Sequence, residues 1–375
     1  MKKLITKNNC NICNSSSAFR YLDKNIFKSI SSDGNNIFPN RDIYKCNNCN
    51  YYFKVSDIKY NKNLGKIYKN YKLERKFKTE TNFLINNRIL TRSDTIINFL
   101  FKKKILNKKK KLKILDYGIG NGDLLSKLSQ KTKHILHGYD LNINDSLKRQ
   151  KKFKIIEKEK TLKRNKYDII FLIHVVEHII DFQSFHETLK KISNKNTIYF
   201  IQTPNINNYY IDFLIYDHFS HFNKESFHRL FSKFDFGNIS YFNLVNKELT
   251  ALISYKKSKL KNYKIIPKEK NLLNANSHLL SLFKKISKLK RYDFLGAGNK
   301  IKLVKANIGI KNLRNIIDED INKQNKKIFR KKILSKNQNN KNDTIPILII
   351  DNKKNYNRLK KKYYNRKTIH HNCVI

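Results

Sequence analysis

Two cysteine pairs, Cys10-x-x-Cys13 and Cys46-x-x-Cys49, stand 32 residues apart and hold four of the chain's five cysteines. Two knuckles of this form bring four thiolates to the spacing of a tetrahedral Zn²⁺ site. Four sulfurs close the coordination shell, so the ion would be structural and not catalytic. A second constellation is Asp116-Tyr117-Gly118-Ile119-Gly120-Asn121-Gly122. Glycines supply the backbone freedom of a tight turn and let a ligand lie against the main chain. Leu124, Leu125 and Leu128 then open an amphipathic helix, whose free N–H groups suit an anionic group. Asp140, 18 residues past Gly122, can accept hydrogen bonds from both hydroxyls of a ribose, or cap a helix. Third come His174, Glu177, His178, Asp217 and His218. Imidazoles beside carboxylates titrate near neutrality, which general acid–base chemistry needs.

These residues must be positioned by regular elements. Apolar runs predict strands at Lys113–Leu115, His134–Tyr139, Lys154–Ile156, Ile169–Ile173 and Thr197–Ile201. Helical periodicity lies between them, at Asp123–Gln130 and Phe182–Ile192. Strands alternating with helices argue for βαβ units and a doubly wound α/β sheet. The glycine turn, Asp140 and the His174–His178 segment each follow a strand, and ligands of such sheets bind outside the strands' carboxyl ends. Residue 123 is Asp, so the Gly-x-Gly-x-x-Gly pattern of dinucleotide folds fails.

The pattern apolar-apolar-Asp-x-Gly-x-Gly-x-Gly resembles motif I of class I S-adenosylmethionine-dependent methyltransferases. That resemblance implies a Rossmann-like core in which Asp116, Gly118, Gly120 and Gly122 meet the methionine part of the cofactor and Asp140 its ribose. It also puts His174 beside cofactor and substrate, and an adenine contact near Glu157 or Glu159. Tyr167 to Ile179 is similar to another signature of this family, an Asp opening the fourth strand and a Glu-His pair past it. Gln202-Thr203-Pro204-Asn205 is similar to the turn after the fifth strand.

Tyr216-Asp217-His218-Phe219-Ser220-His221-Phe222 resembles the Glu-His-x-Ser-x-Phe segment of sugar C-methyltransferases, with Asp217 in place of Glu and Ile215-Tyr216 where a Tyr-His pair is usual. The resemblance implies that His218 removes a proton beside a sugar ketone. Asp217 would orient it, and His178 is a second candidate base. A buried His that merely fixes a loop is the plain alternative. The same enzymes carry a zinc-binding amino-terminal domain and a carboxy-terminal Rossmann-like domain that helps bind the sugar nucleotide. Asp318 to Asn325 resembles the Asp-x-x-x-x-Lys-Gln-Gly stretch of the latter, with Asn325 in place of Gly. Nearly the whole chain is thus covered. The expected division is a zinc-binding domain over 1–65, a methyltransferase core over 75–255 and a Rossmann-like substrate domain over 256–375. Gly296 and Gly298 could cradle a phosphate or simply make a packing turn. Lys326–Asn342 reads as a mobile loop, Thr344–Ile350 as an apolar run, and Cys373 as incidental.

The formal net charge of +51 invites nucleic acid as a partner. The Lys residues are dispersed, however, and travel with Asn and Ile, which AT-rich coding sequence favours together. A nucleic-acid partner is therefore not expected, while anionic ligands would still be steered inward. No stretch reads as a signal peptide or membrane span, so a soluble cytoplasmic protein with reduced thiols is expected. The expected function is methylation of a nucleotide-linked keto-sugar at carbon. Methylation of oxygen or nitrogen on another small molecule is the alternative, and a nucleic-acid-binding protein of the same fold is a third.

Overall fold

The computed structural model describes residues 9–69, 80, 82–85, 88–107, 109–143, 145–245, 247–255, 275–335 and 345–347. A seven-stranded sheet forms the centre: β1 (Lys113–Tyr117), β2 (Ile135–Tyr139), β3 (Lys154–Ile156), β4 (Tyr167–Ile173), β5 (Ser193–Pro204), β6 (Asn238–Phe242) and β7 (Glu248–Ser254). Its order is β3-β2-β1-β4-β5-β7-β6. The first five are parallel, while β7 runs antiparallel to both β5 and β6. Strand order reverses between β1 and β4, where a doubly wound sheet opens its binding crevice.

The alternation of side chains along β4 explains its unbroken apolar sequence. Ile169 and Phe171 pack into one core with the helices Arg92–Lys102 and Asp123–Lys131. Ile170 and Leu172 pack into another with the helix Phe182–Ile192. Both faces of the strand are covered, so no polar face remains. Asp168, which opens the strand, accepts the Lys113 N–H at 2.8 Å and ties β4 to β1. Pro204 ends β5 as its last strand residue, so the turn expected there falls one residue later.

The amino-terminal region is more ordered than its weak sequence patterning predicts. Ala18–Leu22, Ile43–Cys46 and Tyr52–Lys54 form a sheet, and the helix Ile58–Lys69 extends past the expected boundary at 65. The fourth strand of that sheet is Ser220–His221, from the central unit. A single apolar cluster runs from Cys10, Tyr51 and Tyr60 to Phe219, Phe222 and β4. The cysteine lobe is therefore built onto the core and not strung beside it.

The carboxy-terminal unit has a smaller sheet. Tyr292–Leu295 lies parallel to Leu313–Ile317 and to Ile345–Ile347, and Leu313–Ile317 lies parallel to Lys331–Leu334. The helix Asn299–Ile308 crosses between the first two strands. Lys327–Ile328 pairs back on Lys331–Leu334, so the first part of the expected loop at 326–342 is a hairpin. Its apolar members Ile328 and Ile333 bury into the core beside Leu313 and Ile316, which the surrounding lysines mask in the sequence. Residues 336–344, 348–350 and Cys373 lie outside the described residues.

Gly138 in β2 faces Ile119 of the glycine turn so closely that an added Cβ would stand 2.1 Å from Ile119 Cδ1. A side chain there must displace the Ile119 side chain that fills the space. Gly138→Val is expected to destabilise the protein by about 2–3 kcal/mol in denaturant unfolding. An unchanged midpoint would show that the turn yields freely.

Candidate active site

The turn after β1 is shaped by left-handed backbone: φ is 86° at Gly118, 56° at Gly120 and 75° at Gly122. Gly118 and Ile119 donate N–H groups to the Tyr139 carbonyl at 2.7 and 3.0 Å, which lays the turn across the end of β2. A Cβ on Gly118 would meet Val175 Cγ2 at 2.5 Å, so the turn also sits tight against the chain leaving β4. Gly122 caps the helix Asp123–Lys131 without a side chain.

Acidic groups face this turn. The Gly120 N–H donates to Asp140 Oδ2 at 3.0 Å and the Asn142 N–H to Oδ1 at 3.1 Å. Each carboxylate oxygen keeps a lone pair for a ligand hydroxyl. Burial and the nearby charges of Asp140 and Asp123 push the Asp116 carboxyl well above its ordinary range. Three acids crowd one turn of a chain whose net charge is +51. A ligand bearing positive charge relieves that repulsion. The turn therefore fits a cofactor with cationic groups and a ribose.

Beyond β4 the side chains divide by the oxygens they face. His174, itself at φ 54°, places Nδ1 2.9 Å from Glu177 Oε1 and Nε2 3.2 Å from Glu248 Oε1. Carboxylates only accept, so both ring nitrogens carry protons and His174 is a cation. Burial and Arg92 oppose that charge, yet the two glutamates outweigh them and raise its pKa. Thr203 donates to the other oxygen of Glu177 at 2.9 Å, and Arg92 donates to Glu248 at 2.7 Å. His174 thus cannot serve as a base. Glu248 and Arg92 escaped the sequence reading, because neither lies in a motif that names it.

His218 is held by Asp212 and not by Asp217. Asp212 sits in the 3-10 turn Tyr210–Leu214, and its two oxygens stand 2.6 Å from Nδ1 of His218 and 2.6 Å from Nδ1 of His221. Burial would raise the Asp212 carboxyl, but the two imidazoles overcome it and hold it far below the carboxylate range. Nδ1 of His218 therefore carries the proton, and the lone pair of the neutral ring lies on Nε2. Burial lowers the His218 pKa, while Asp212 more than compensates and leaves it raised. Asp217, adjacent in sequence, points the other way and accepts from the Ser32 N–H at 2.7 Å and the Ser32 hydroxyl at 2.6 Å. Asp217 lies in a turn closed by the His218 N–H on the Ile215 carbonyl at 3.3 Å, so neighbours in sequence send their side chains to different partners.

His178 stacks edge-on against His218, ring centroids 4.7 Å apart. Its Nδ1 donates to the Asp217 carbonyl at 3.0 Å, with the Tyr68 hydroxyl 3.2 Å away. Burial and the charge of His218 lower its pKa. Tyr68, on the helix of the cysteine lobe, is a third site residue that no spacing pattern announced.

The cysteine lobe grips the segment that carries His218. Lys54, fully buried, donates from Nζ to the carbonyls of Ile215 and of Tyr216, the latter at 3.3 Å. Burial lowers its pKa to about 7. The Tyr216 N–H donates to the Ile30 carbonyl at 2.7 Å. Sγ of Cys10 and Cys49 are 3.5 Å apart, those of Cys13 and Cys46 3.6 Å, and all four lie within 4.8 Å of one another. Zn–S bonds of about 2.3 Å put tetrahedral sulfurs about 3.8 Å apart, so the cluster is compatible with zinc. Hydrogen bonding to Cys46 raises Cys10 to about 12 and, with Cys10, lowers Cys46 to about 2. Four thiolates cannot share this space without a cation to neutralise them.

Several of these groups open on one cleft of about 1690 Å³. Asp116, Gly118, Gly120, Asp140, His174, His178 and His218 line it from the central unit, Ser32 to Asn35 from the cysteine lobe, and Gly296 to Lys300 and Lys323 from the carboxy-terminal unit. Gly122 supports the turn from behind. Of the acids proposed for adenine, Glu159 lines the cleft, whereas Glu157 pairs with Lys148 at 3.0 Å.

Residues 87–241 match the family model described as a methyltransferase domain. No curated protein matches the chain. Among solved structures, a SAM-dependent methyltransferase from Archaeoglobus fulgidus is 15% identical over 44% of this chain and 95% of its own, with a TM-score of 0.35. The CurJ carbon methyltransferase is 11% identical over 43% of this chain and 54% of its own, with a TM-score of 0.36. The plantazolicin methyltransferase BamL is 16% identical over 44% and 85%, with a TM-score of 0.36.

Removal of a metal from the four-cysteine cluster by a chelator is expected to unfold the cysteine lobe and displace His218. Cys49→Ser should lower stability by at least about 4 kcal/mol. Zinc content and thermal melting of the variant check this, and a zinc-free wild type with an unchanged melting point would refute it.

Proposed function

We propose, from the premise that residues 87–241 are a methyltransferase domain, that this enzyme uses S-adenosylmethionine to methylate a small acceptor in the cleft, at carbon beside the ketone of a nucleotide-linked sugar. The observation that carries the reading is His218, whose Nδ1–H is fixed on Asp212 while its Nε2 is left for the cleft shared with the glycine turn.

S-adenosylmethionine, when bound, supplies an electrophilic methyl group on a sulfonium centre. Asp140 and the turn Gly118–Gly122 would hold its ribose and methionine parts, and Asp116 would complement its positive charge. Nε2 of His218 takes the proton from the acceptor carbon, whose electron pair becomes the nucleophile. Asp212 stabilises the imidazolium that results, as a buried carboxylate does for a general base. His178, with its pKa lowered, stays neutral beside it, so two adjacent imidazoles are set to different tasks. Lys247 and Lys300 along the cleft favour an acceptor that carries phosphate, whereas Lys323 is paired with Asp318 at 3.2 Å. Zinc in the cysteine cluster serves structure alone, since its four thiols leave no open position. A hydroxyl acceptor would use the same Nε2, which keeps O-methylation as the alternative.

Calorimetry is expected to show micromolar binding of S-adenosylhomocysteine to the wild type and none to Gly120→Arg. Absence of binding to folded wild type would sink the cofactor assignment.

His218→Ala should keep cofactor binding and lose about 10²- to 10⁴-fold in methyl transfer to a nucleotide keto-sugar. Retained activity would remove His218 as base.

The base must be neutral, and Asp212 raises its pKa, so activity should fall with decreasing pH through a limb above the ordinary histidine value of about 6.5. Asp212→Asn is expected to move that limb to lower pH while also lowering the plateau. A pH profile unmoved by the substitution would contradict the dyad.

A further inference from the structure

Glu177, His178 and His218 do more than surround a base. One ligand atom from each lies within 4.8 Å of the other two. Two imidazoles and one carboxylate form a donor set typical of divalent transition ions such as Zn²⁺, Fe²⁺ or Mn²⁺. The outer contacts match as well. Each imidazole gives its Nδ1–H to an oxygen, His218 to Asp212 at 2.6 Å and His178 to the Asp217 carbonyl at 3.0 Å. That arrangement fixes the tautomer of a metal-ligating histidine and leaves Nε2 to the ion. His174 holds Glu177 through Oε1 at 2.9 Å. Thr203 orients the same carboxylate at 2.9 Å. Asp212 adds a second negative charge behind His218. Both imidazoles reach the cleft, so water or an acceptor oxygen can complete the coordination.

We propose that Glu177, His178 and His218 form a second divalent-cation site, distinct from the four cysteines, and that its occupancy switches the enzyme off. The switch rests on the reading of His218 as base. An ion bound to Nε2 takes the lone pair that would accept the proton, so cation and proton compete for one atom. The cysteine cluster, closed by four thiols, offers no such competition. The two sites also differ in chemistry, sulfur alone against nitrogen and oxygen.

The test titrates Co²⁺ into full-length protein whose cysteine cluster already holds zinc. A second equivalent is expected, with d–d absorption but no sulfur-to-cobalt charge transfer. His178→Asn and Glu177→Gln, both still holding one zinc and still binding S-adenosylhomocysteine, should weaken that equivalent at least tenfold. Wild-type methyl transfer should fall in proportion to occupancy and return on chelation of the weaker ion. Absence of the second equivalent, or its survival in both variants, overturns the site. Binding that leaves methyl transfer unchanged or raises it overturns the switch. Failure of the methyltransferase reading would show separately, as wild-type protein that binds the ion but no S-adenosylhomocysteine.

Discussion

Two residues of strand pairing, Ser220 on Phe53 and His221 on Tyr52, fasten the candidate base to the cysteine lobe. Much of the remaining architecture follows from that contact. The segment 215–222 leaves the central unit after a 3-10 turn and has no long strand or helix of its own. Its backbone groups are satisfied by the other lobe: Ile30 accepts from Tyr216, Lys54 and Tyr60 donate to carbonyls of 215 and 216, and Lys54 donates its N–H to Phe219. Buried backbone polar groups must be paired, so these donors and acceptors fix the path of the loop. A metal that folds the cysteine lobe would in this way set the position of His218 without approaching it.

The same economy links the third unit. Ser32, in the loop after Ile30, donates to Asp217 and offers its carbonyl to Asn299 at the start of the carboxy-terminal helix. Asn307 at the far end of that helix exchanges hydrogen bonds with the backbone of Lys28. A second apolar cluster spans Leu22 to Ile43, Ile206 to Ile215 and the carboxy-terminal sheet. The cleft is thus a junction of three units whose walls share packing, and its large volume leaves room for both a cofactor and a bulky acceptor.

Electrostatics inside the cleft run against the chain as a whole. Lysine dominates the surface, yet Asp116, Asp123, Asp140, Asp212 and Glu248 line the cleft, with Glu177 and Asp217 buried beside its histidines. Glu248 and Glu177 make His174 a cation, Asp212 gives His218 its tautomer, and Asp116 faces mainly other acids. Of the three histidines on this cleft, His174 and His218 are raised in pKa by their carboxylates while His178 is lowered by burial and by His218.

The sequence by itself determined the central sheet and the turn. Long apolar strands with helices between them admit one layered solution, and glycine at 118, 120 and 122 marks positive φ because no other residue adopts it so cheaply. The paired cysteines likewise announced their cluster through spacing, since each knuckle is local. Partnerships between distant side chains were decided only by the tertiary structure. Asp217 was the evident companion of His218 on the chain, but a carboxylate six residues away on a turn reached the ring, and the adjacent one turned toward Ser32. Tyr68, Lys54, Arg92 and Glu248 came to the site from elements with no motif to mark them. Local pattern encodes backbone conformation and burial. Which charged groups meet depends on how the folded units close on one another.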